Sequence, residues 1–258
     1  MIACMLRVAA WSLALVLLFV APATVRAEIK VEKLVVGETI GGRPIECNVY
    51  GDGKDVFWLI ATIHGNEAAG TPLAAKFVEW LEKHPEEAEG RKIVIMPVAN
   101  PDGFADNVRF NRNGVDLNRN FPAGNWGAAD VKPHGATPLS EPESRVLMRV
   151  LCQYFPNRVV SIHQPLNCVD WDGPADKMAE AMAAKCKLPL DKLGSRPGSL
   201  GSFVGTTLGR PIITLELPAD AGMDPDVLWK EYGEALIAAL RYQHNEEPAA
   251  EKASFEGK

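Results

Sequence analysis

Apolar positions along the chain follow two rhythms. Four short runs are apolar almost throughout: residues 56–63 (VFWLIATI), 93–98 (IVIMPV), 159–162 (VVSI) and 211–217 (PIITLEL). Their β-branched and aromatic content predicts strands buried on both faces. Across residues 71–84, Leu73, Phe77, Val78 and Leu81 recur at helical spacing, and Pro72 suits a first turn. Residues 141–155, 175–187 and 224–243 show the same periodicity. Strands alternating with amphipathic helices predict an α/β fold, a mixed and mostly parallel central sheet with helices on both faces. The chain shows no internal repeat.

The two ends break this rhythm. Arg7 gives a positive start, residues 8–20 are almost wholly apolar, and small residues follow. This is the grammar of a secretory signal peptide, and the run is shorter than the roughly 20 residues of a spanning helix. Two small-x-small frames end at Ala23 and Ala27. The second is preferred, which predicts a signal peptide over 1–27, a secreted or periplasmic protein, and no stable membrane association after cleavage. Residues 244–258 are charged and Ala-rich, which predicts a disordered polar tail. One domain over 28–243 remains.

Composition narrows the partners. With 258 residues, 47% hydrophobic and 23% charged, the chain can bury one substantial core. A formal net charge of -6 offers no concentrated positive field, which argues against nucleic acid. Of five cysteines, Cys4 falls in the predicted signal. Cys47, Cys152, Cys168 and Cys186 are an even set that allows disulfides in an oxidising compartment and equally allows buried free thiols.

The candidate chemistry sits at strand ends. His64 and Glu67 follow the run ending at Ile63, and His163 ends the run at 159–162. In open sheets the crevice beyond the carboxyl ends of strands is the usual site. Two histidines and a carboxylate leave a fourth position open on a metal, the arrangement of catalytic zinc. Glu216 is a lone carboxylate within an apolar run, which marks it as paired, protonated or functional, and here as a candidate general base. The segment 109–121 (RFNRNGVDLNRNF) is dense in arginine and asparagine, a composition suited to gripping carboxylates. His84, His134 and His244 lack a strand-end placement and read as surface residues.

Taken together, HGNE (64–67), NPDG (100–103), GVDLNRNFP (114–122), SIH (161–163) and ITLEL (213–217) resemble the zinc carboxypeptidase family, or funnelins. The resemblance spans most of the mature chain and implies that family's fold. It implies one Zn2+ held by His64, Glu67 and His163, with Glu216 as the catalytic carboxylate. It further implies that Asn118 and Arg119 hold the substrate's terminal carboxylate. Arg109 would polarise the scissile carbonyl, with Arg112 as its competitor for that role. Within the family, HQPLNC (163–168) and PGSLGS (197–202) resemble amidases that cut between γ-D-glutamate and meso-diaminopimelate in cell-wall peptides. The expected partner is thus a wall-derived peptide, whose diaminopimelate ammonium Asp170 and Asp172 would receive. Two alternatives stay open: a deacylase of small acyl amino acids, like succinylglutamate desuccinylase or aspartoacylase, and a catalytically silent wall-peptide binding module.

Overall fold

The apolar runs do become the middle of a sheet. A computed structural model describes residues 30–127 and 133–243, so the expected signal peptide (1–27) and polar tail (244–258) lie outside the described residues. Among those described, the strands are β1 (Val31–Glu38), β2 (Pro44–Tyr50), β3 (Asp55–Ala61), β4 (Arg91–Met96), β5 (Arg158–His163), β6 (Leu166–Asp172) and β7 (Ile212–Pro218). The helices are α1 (Gly70–Lys83), α2 (Pro101–Asp106), α3 (Pro142–Tyr154), α4 (Asp176–Ala183) and α5 (Pro225–Arg241).

Strand order across the sheet is β1-β2-β4-β3-β5-β7-β6. The inner four, β4, β3, β5 and β7, run parallel, while β1, β2 and β6 join antiparallel at the two sides. The inner strands are the ones whose runs are apolar on both faces, because alternate side chains serve two layers. Phe57, Leu59, Val160 and Ile213 face a layer with Leu73 and Phe77 of α1, Met178 of α4 and Leu236 of α5. Trp58, Ile60, Val94 and Val159 face the other, with Val146, Leu147 and Val150 of α3, the loop residue Phe121, and Phe203 of the short helix Ser202–Thr207.

One buried cation joins these layers. Arg158 opens β5 at 1% exposure; its Nε donates to Ala239 O at 2.9 Å and its Nη2 to Asp55 Oδ2 at 3.0 Å. Further bonds from its guanidinium reach Asp55 Oδ1 and Leu240 O, so β3, β5 and the end of α5 share one anchor.

Element ends differ slightly from the sequence pattern. β3 stops at Ala61, because Thr62 takes a left-handed backbone (φ 54°) and turns the chain. β1, β2, β6 and α2 had no counterpart in the pattern. All four cysteines of the described residues are free thiols, which settles the alternative left open by their number. No helix of the described residues is long and apolar enough to cross a membrane.

Candidate active site

The turn after β3 aims the first two candidate ligands. Thr62 O accepts from Asn100 N at 3.0 Å, and Thr62 Oγ1 lies 2.8 Å from Thr71 Oγ1, which pins the turn between the 100–103 segment and α1. Gly65 then passes so close to Gly103 that a Cβ on it would sit 1.9 Å from the Gly103 carbonyl carbon. The HGNE and NPDG segments are therefore two halves of one contact, which only glycine allows.

His64, Glu67 and His163 converge, all buried, with one ligand atom from each lying within 4.8 Å of the others. The two Nδ1 atoms are 3.2 Å apart, and each lies 2.8 Å from an oxygen of Glu67. A tetrahedral zinc with bonds of ~2.0–2.2 Å separates its ligand atoms by roughly 3.3 Å, so this trio already has nearly the right spacing. The outer nitrogens are held as well: His64 Nε2 lies 3.0 Å from Asp116 Oδ1, and His163 Nε2 lies 3.0 Å from Ser161 Oγ. Partners on the far side fix ring orientation and direct Nδ1 inward, a recurrent arrangement around bound metals.

Electrostatics favour positive charge at this centre. Burial opposes a charge on His64, yet bonds to Asp116 and Glu67 outweigh it and raise its pKa. Burial also opposes ionisation of Glu67 and of Asp116, but the histidines hold Glu67 ionised, and His64 with Arg109 holds Asp116 ionised. Two buried carboxylates facing two imidazoles suit a divalent cation by charge and by donor type, and zinc in particular by ligand set.

Glu216 reaches the same centre from β7. In the parallel pair β5·β7 its register partner is His163, so the two side chains leave the sheet side by side on one face. Its Oε2 accepts from Leu166 N at 3.3 Å.

A cavity of about 480 Å³ opens here, within the usual range for small-ligand sites. It brings together His64, Glu67, His163, Glu216, Arg109, Asn118, Arg119, Asp170 and Asp172. Arg109 spans two carboxylates: Nη1 donates to Glu67 Oε1 at 2.9 Å, and Nε and Nη2 donate to Asp116 Oδ2 at 3.1 and 3.0 Å. Asn118 Oδ1 accepts from Leu200 N at 2.8 Å, and Arg119 Nη1 donates to Asn118 O at 2.6 Å. Arg112 does not line the cavity; its guanidinium lies 3.6 Å from Asp102 and 3.9 Å from Asp106. His84 and His134 lie elsewhere, half-buried against Trp80 and Trp126.

Sequence reasoning passed over Asp116, Ser161 and Gln164. Gln164 N donates to Glu67 Oε2 at 3.2 Å, and its side chain bridges Ala69 N and Pro218 O at 3.1 Å each. Ser161 was the most findable, since two residues before His163 on a strand is the same face. Asp116 and Gln164 act across 52 and 97 residues of chain respectively, which no local spacing reveals.

A mixed sheet whose parallel inner strands carry a buried His-Glu-His centre at their ends defines a metal-dependent hydrolase. The profile of the family described as zinc carboxypeptidase matches residues 25–166, and the chain belongs to that family. Among its relatives is murein peptide amidase A of Escherichia coli (strain K12), 38% identical over 168 residues that cover 59% of this chain and 67% of that protein. The murein peptide amidase A of Vibrio campbellii is 29% identical over 240 residues, covering 86% of this chain and 92% of that one. A solved murein-tripeptide amidase from Escherichia coli O157 superposes with a TM-score of 0.63 at 27% identity, over 83% of this chain and 93% of that one. Carboxypeptidase A from Helicoverpa armigera shares the fold, with a TM-score of 0.67 at 22% identity over 81% of this chain and 68% of that one.

Proposed function

We propose that this hydrolase is an exported amidase that cuts the bond between γ-D-glutamate and meso-diaminopimelate in murein peptides. The observation that carries the reading is the cavity's division of labour: a metal-type centre with Glu216 beside it, and Asp170 with Asp172 lining the same space. Neither aspartate has a cationic partner among the described residues; Asp170 Oδ1 accepts from Leu193 N at 2.9 Å, and Asp172 Oδ1 from Ser195 Oγ. Two buried carboxylates without a countercharge favour a substrate that brings one. The relatives named murein peptide amidase A support this choice. The export signal expected over 1–27 would deliver the enzyme to where wall peptides are.

His64, Glu67 and His163 would hold one zinc ion per chain, which when bound acidifies a water and polarises the scissile carbonyl. The remaining steps fall to the chain's own residues. Glu216 accepts the proton of the attacking water and passes it to the leaving amine. Arg109 stands at the mouth of the centre as the oxyanion donor. Asn118 and Arg119 grip the terminal carboxylate of the leaving residue by charge-assisted bonds.

The test is a substrate panel: L-Ala-γ-D-Glu-meso-diaminopimelate, ordinary C-terminal peptides and a small acyl amino acid, each with and without chelator. The amidase reading expects chelator-sensitive cleavage of the first in clear preference to the others. Glu216→Gln should keep its zinc and lose at least ~100-fold in kcat; full turnover in that variant would remove Glu216 from the role given to it.

A further inference from the structure

Three guanidinium groups line the cavity, and two of them have identified partners. Arg109 is engaged by Glu67 and Asp116. Arg119 is half-buried, which lowers its pKa, while the charge of Asp116 opposes that and Arg109 and Arg196 add to it. Arg196 differs: it is exposed, it lines the cavity, and among the described residues no carboxylate lies within ion-pair distance of it.

The loop that carries Arg196 is fastened on both sides of it. Before it, Leu193 N donates to Asp170 Oδ1 at 2.9 Å, and Ser195 Oγ donates to Asp172 Oδ1. After it, Gly198 O accepts from Phe121 N at 2.9 Å, and Leu200 N donates to Asn118 Oδ1 at 2.8 Å. Gly198 has φ +69° and approaches Arg119 so closely that a Cβ would sit 2.3 Å from Arg119 O. Arg196 therefore stands between the Asp170–Asp172 pair and the Asn118–Arg119 pair, held there by both.

We propose that Arg196 binds a second carboxylate on the leaving residue, so that the cavity selects a side chain ending in an ammonium and a carboxylate together. This rests on the amidase reading above and names the group that sets its specificity. A side chain with an ammonium alone would satisfy Asp170 and Asp172 and the residue's terminal carboxylate would satisfy Arg119, but Arg196 would be left beside Arg119 without an anion. One that ends as a zwitterion satisfies both walls, and the planar fork of arginine suits a carboxylate bidentately. Selection then comes as much from the unpaired charge a poorer substrate leaves behind as from the contact a good one makes.

The decisive measurement is a ratio: kcat/KM for L-Ala-γ-D-Glu-meso-diaminopimelate over kcat/KM for L-Ala-γ-D-Glu-L-Lys, which keeps the ammonium and lacks the second carboxylate. In zinc-loaded, full-length protein the ratio should exceed one. Arg196→Gln should lower it roughly 10- to 100-fold, the range for a charge-assisted hydrogen bond, and Arg196→Lys should recover part of the loss. An unmoved ratio in Arg196→Gln, with zinc content and folded-state spectra matching the parent, overturns the inference and leaves the amidase reading standing. A parent that cleaves neither peptide yet cleaves ordinary C-terminal peptides overturns both at once, so the two failures look different.

Discussion

The two oxygens of Asp116 divide the work around the metal-type centre. Oδ1 faces His64 Nε2 and also accepts from Asn118 N at 2.9 Å, while Oδ2 takes both bonds from Arg109. One side chain thereby sets the ring of His64, the turn carrying Asn118 and the pose of Arg109. Asp116→Asn should weaken zinc binding about 10- to 100-fold, read by competition with a chromophoric chelator; unchanged affinity would show that His64 orients itself unaided. Asp170 makes a different prediction. Burial lifts its carboxyl to about 6, Asp172 and Glu216 add to the lift, and the N–H groups of Leu193 and Trp171 oppose it. Unfolded, the group titrates near ~3.9, so between about pH 4 and 6 the folded protein retains a proton that the unfolded chain has released. Stability therefore falls as pH rises through that window and stays lower above it. Asp170→Asn keeps an acceptor for Leu193 N and should raise Tm by roughly 2–4 °C at pH 7.5 with little change at pH 4, followed by thermal denaturation across pH. A pH-independent gain would mean that the carboxyl is not the titrating group.

At the scale of elements, the sequence was legible wherever one chain segment met its own periodicity. β3, β4, β5 and β7 stand within two residues of the apolar runs, as do α1, α3 and α5 of their periodic stretches; α4 stops at Ala183 instead of running on toward Lys187. His64, Glu67, His163 and Glu216 could be found because each follows or interrupts such a run. β6 was hidden for a physical reason: LNCVDWD carries Asp170 and Asp172, whose buried carboxylates lack the alternation of an ordinary side strand. β1 was hidden by being largely solvated, with Val35 at 63% exposure. The contact between the HGNE and NPDG turns shows what spacing cannot tell, since each glycine looks unremarkable until the other is placed against it. Gly65→Ala must push the 103 backbone away, costing about 1–3 kcal/mol as overpacking does, and should loosen metal binding along with stability. Normal Tm and zinc content in that variant would mean that the turn is softer than its geometry implies.

For the whole molecule, stability and chemistry are arranged at opposite ends of the same strands. Arg158 closes the end where β5 begins, and the candidate ligand His163 finishes the same six-residue strand at the other. Removing Arg158 takes a buried, multiply bonded charge from Asp55, which keeps only Arg91 Nε at 3.5 Å, and from two carbonyls of α5. Arg158→Ala should therefore cost about 3–5 kcal/mol in denaturant unfolding while zinc affinity in the folded protein stays near the parent's. A variant as stable as the parent would show that water replaces the guanidinium freely. The fold class was readable from alternation alone, whereas the antiparallel sides were not, because strand direction is decided by the connections.

The register that sets His163 beside Glu216 carries a rule of parity. Side chains along a strand alternate between two worlds, here the reactive cleft and the greasy layer under the helices. Slide β7 by a single position against its neighbour and a leucine, 215 or 217, arrives in the place of Glu216, while the glutamate is driven into oil. Slide it by two and the correct face returns, but with Thr214 or Pro218 opposite His163 in place of the carboxylate. Only one alignment in the ladder sets Glu216 beside His163, so backbone hydrogen bonds outside the cleft decide which side chains meet within it.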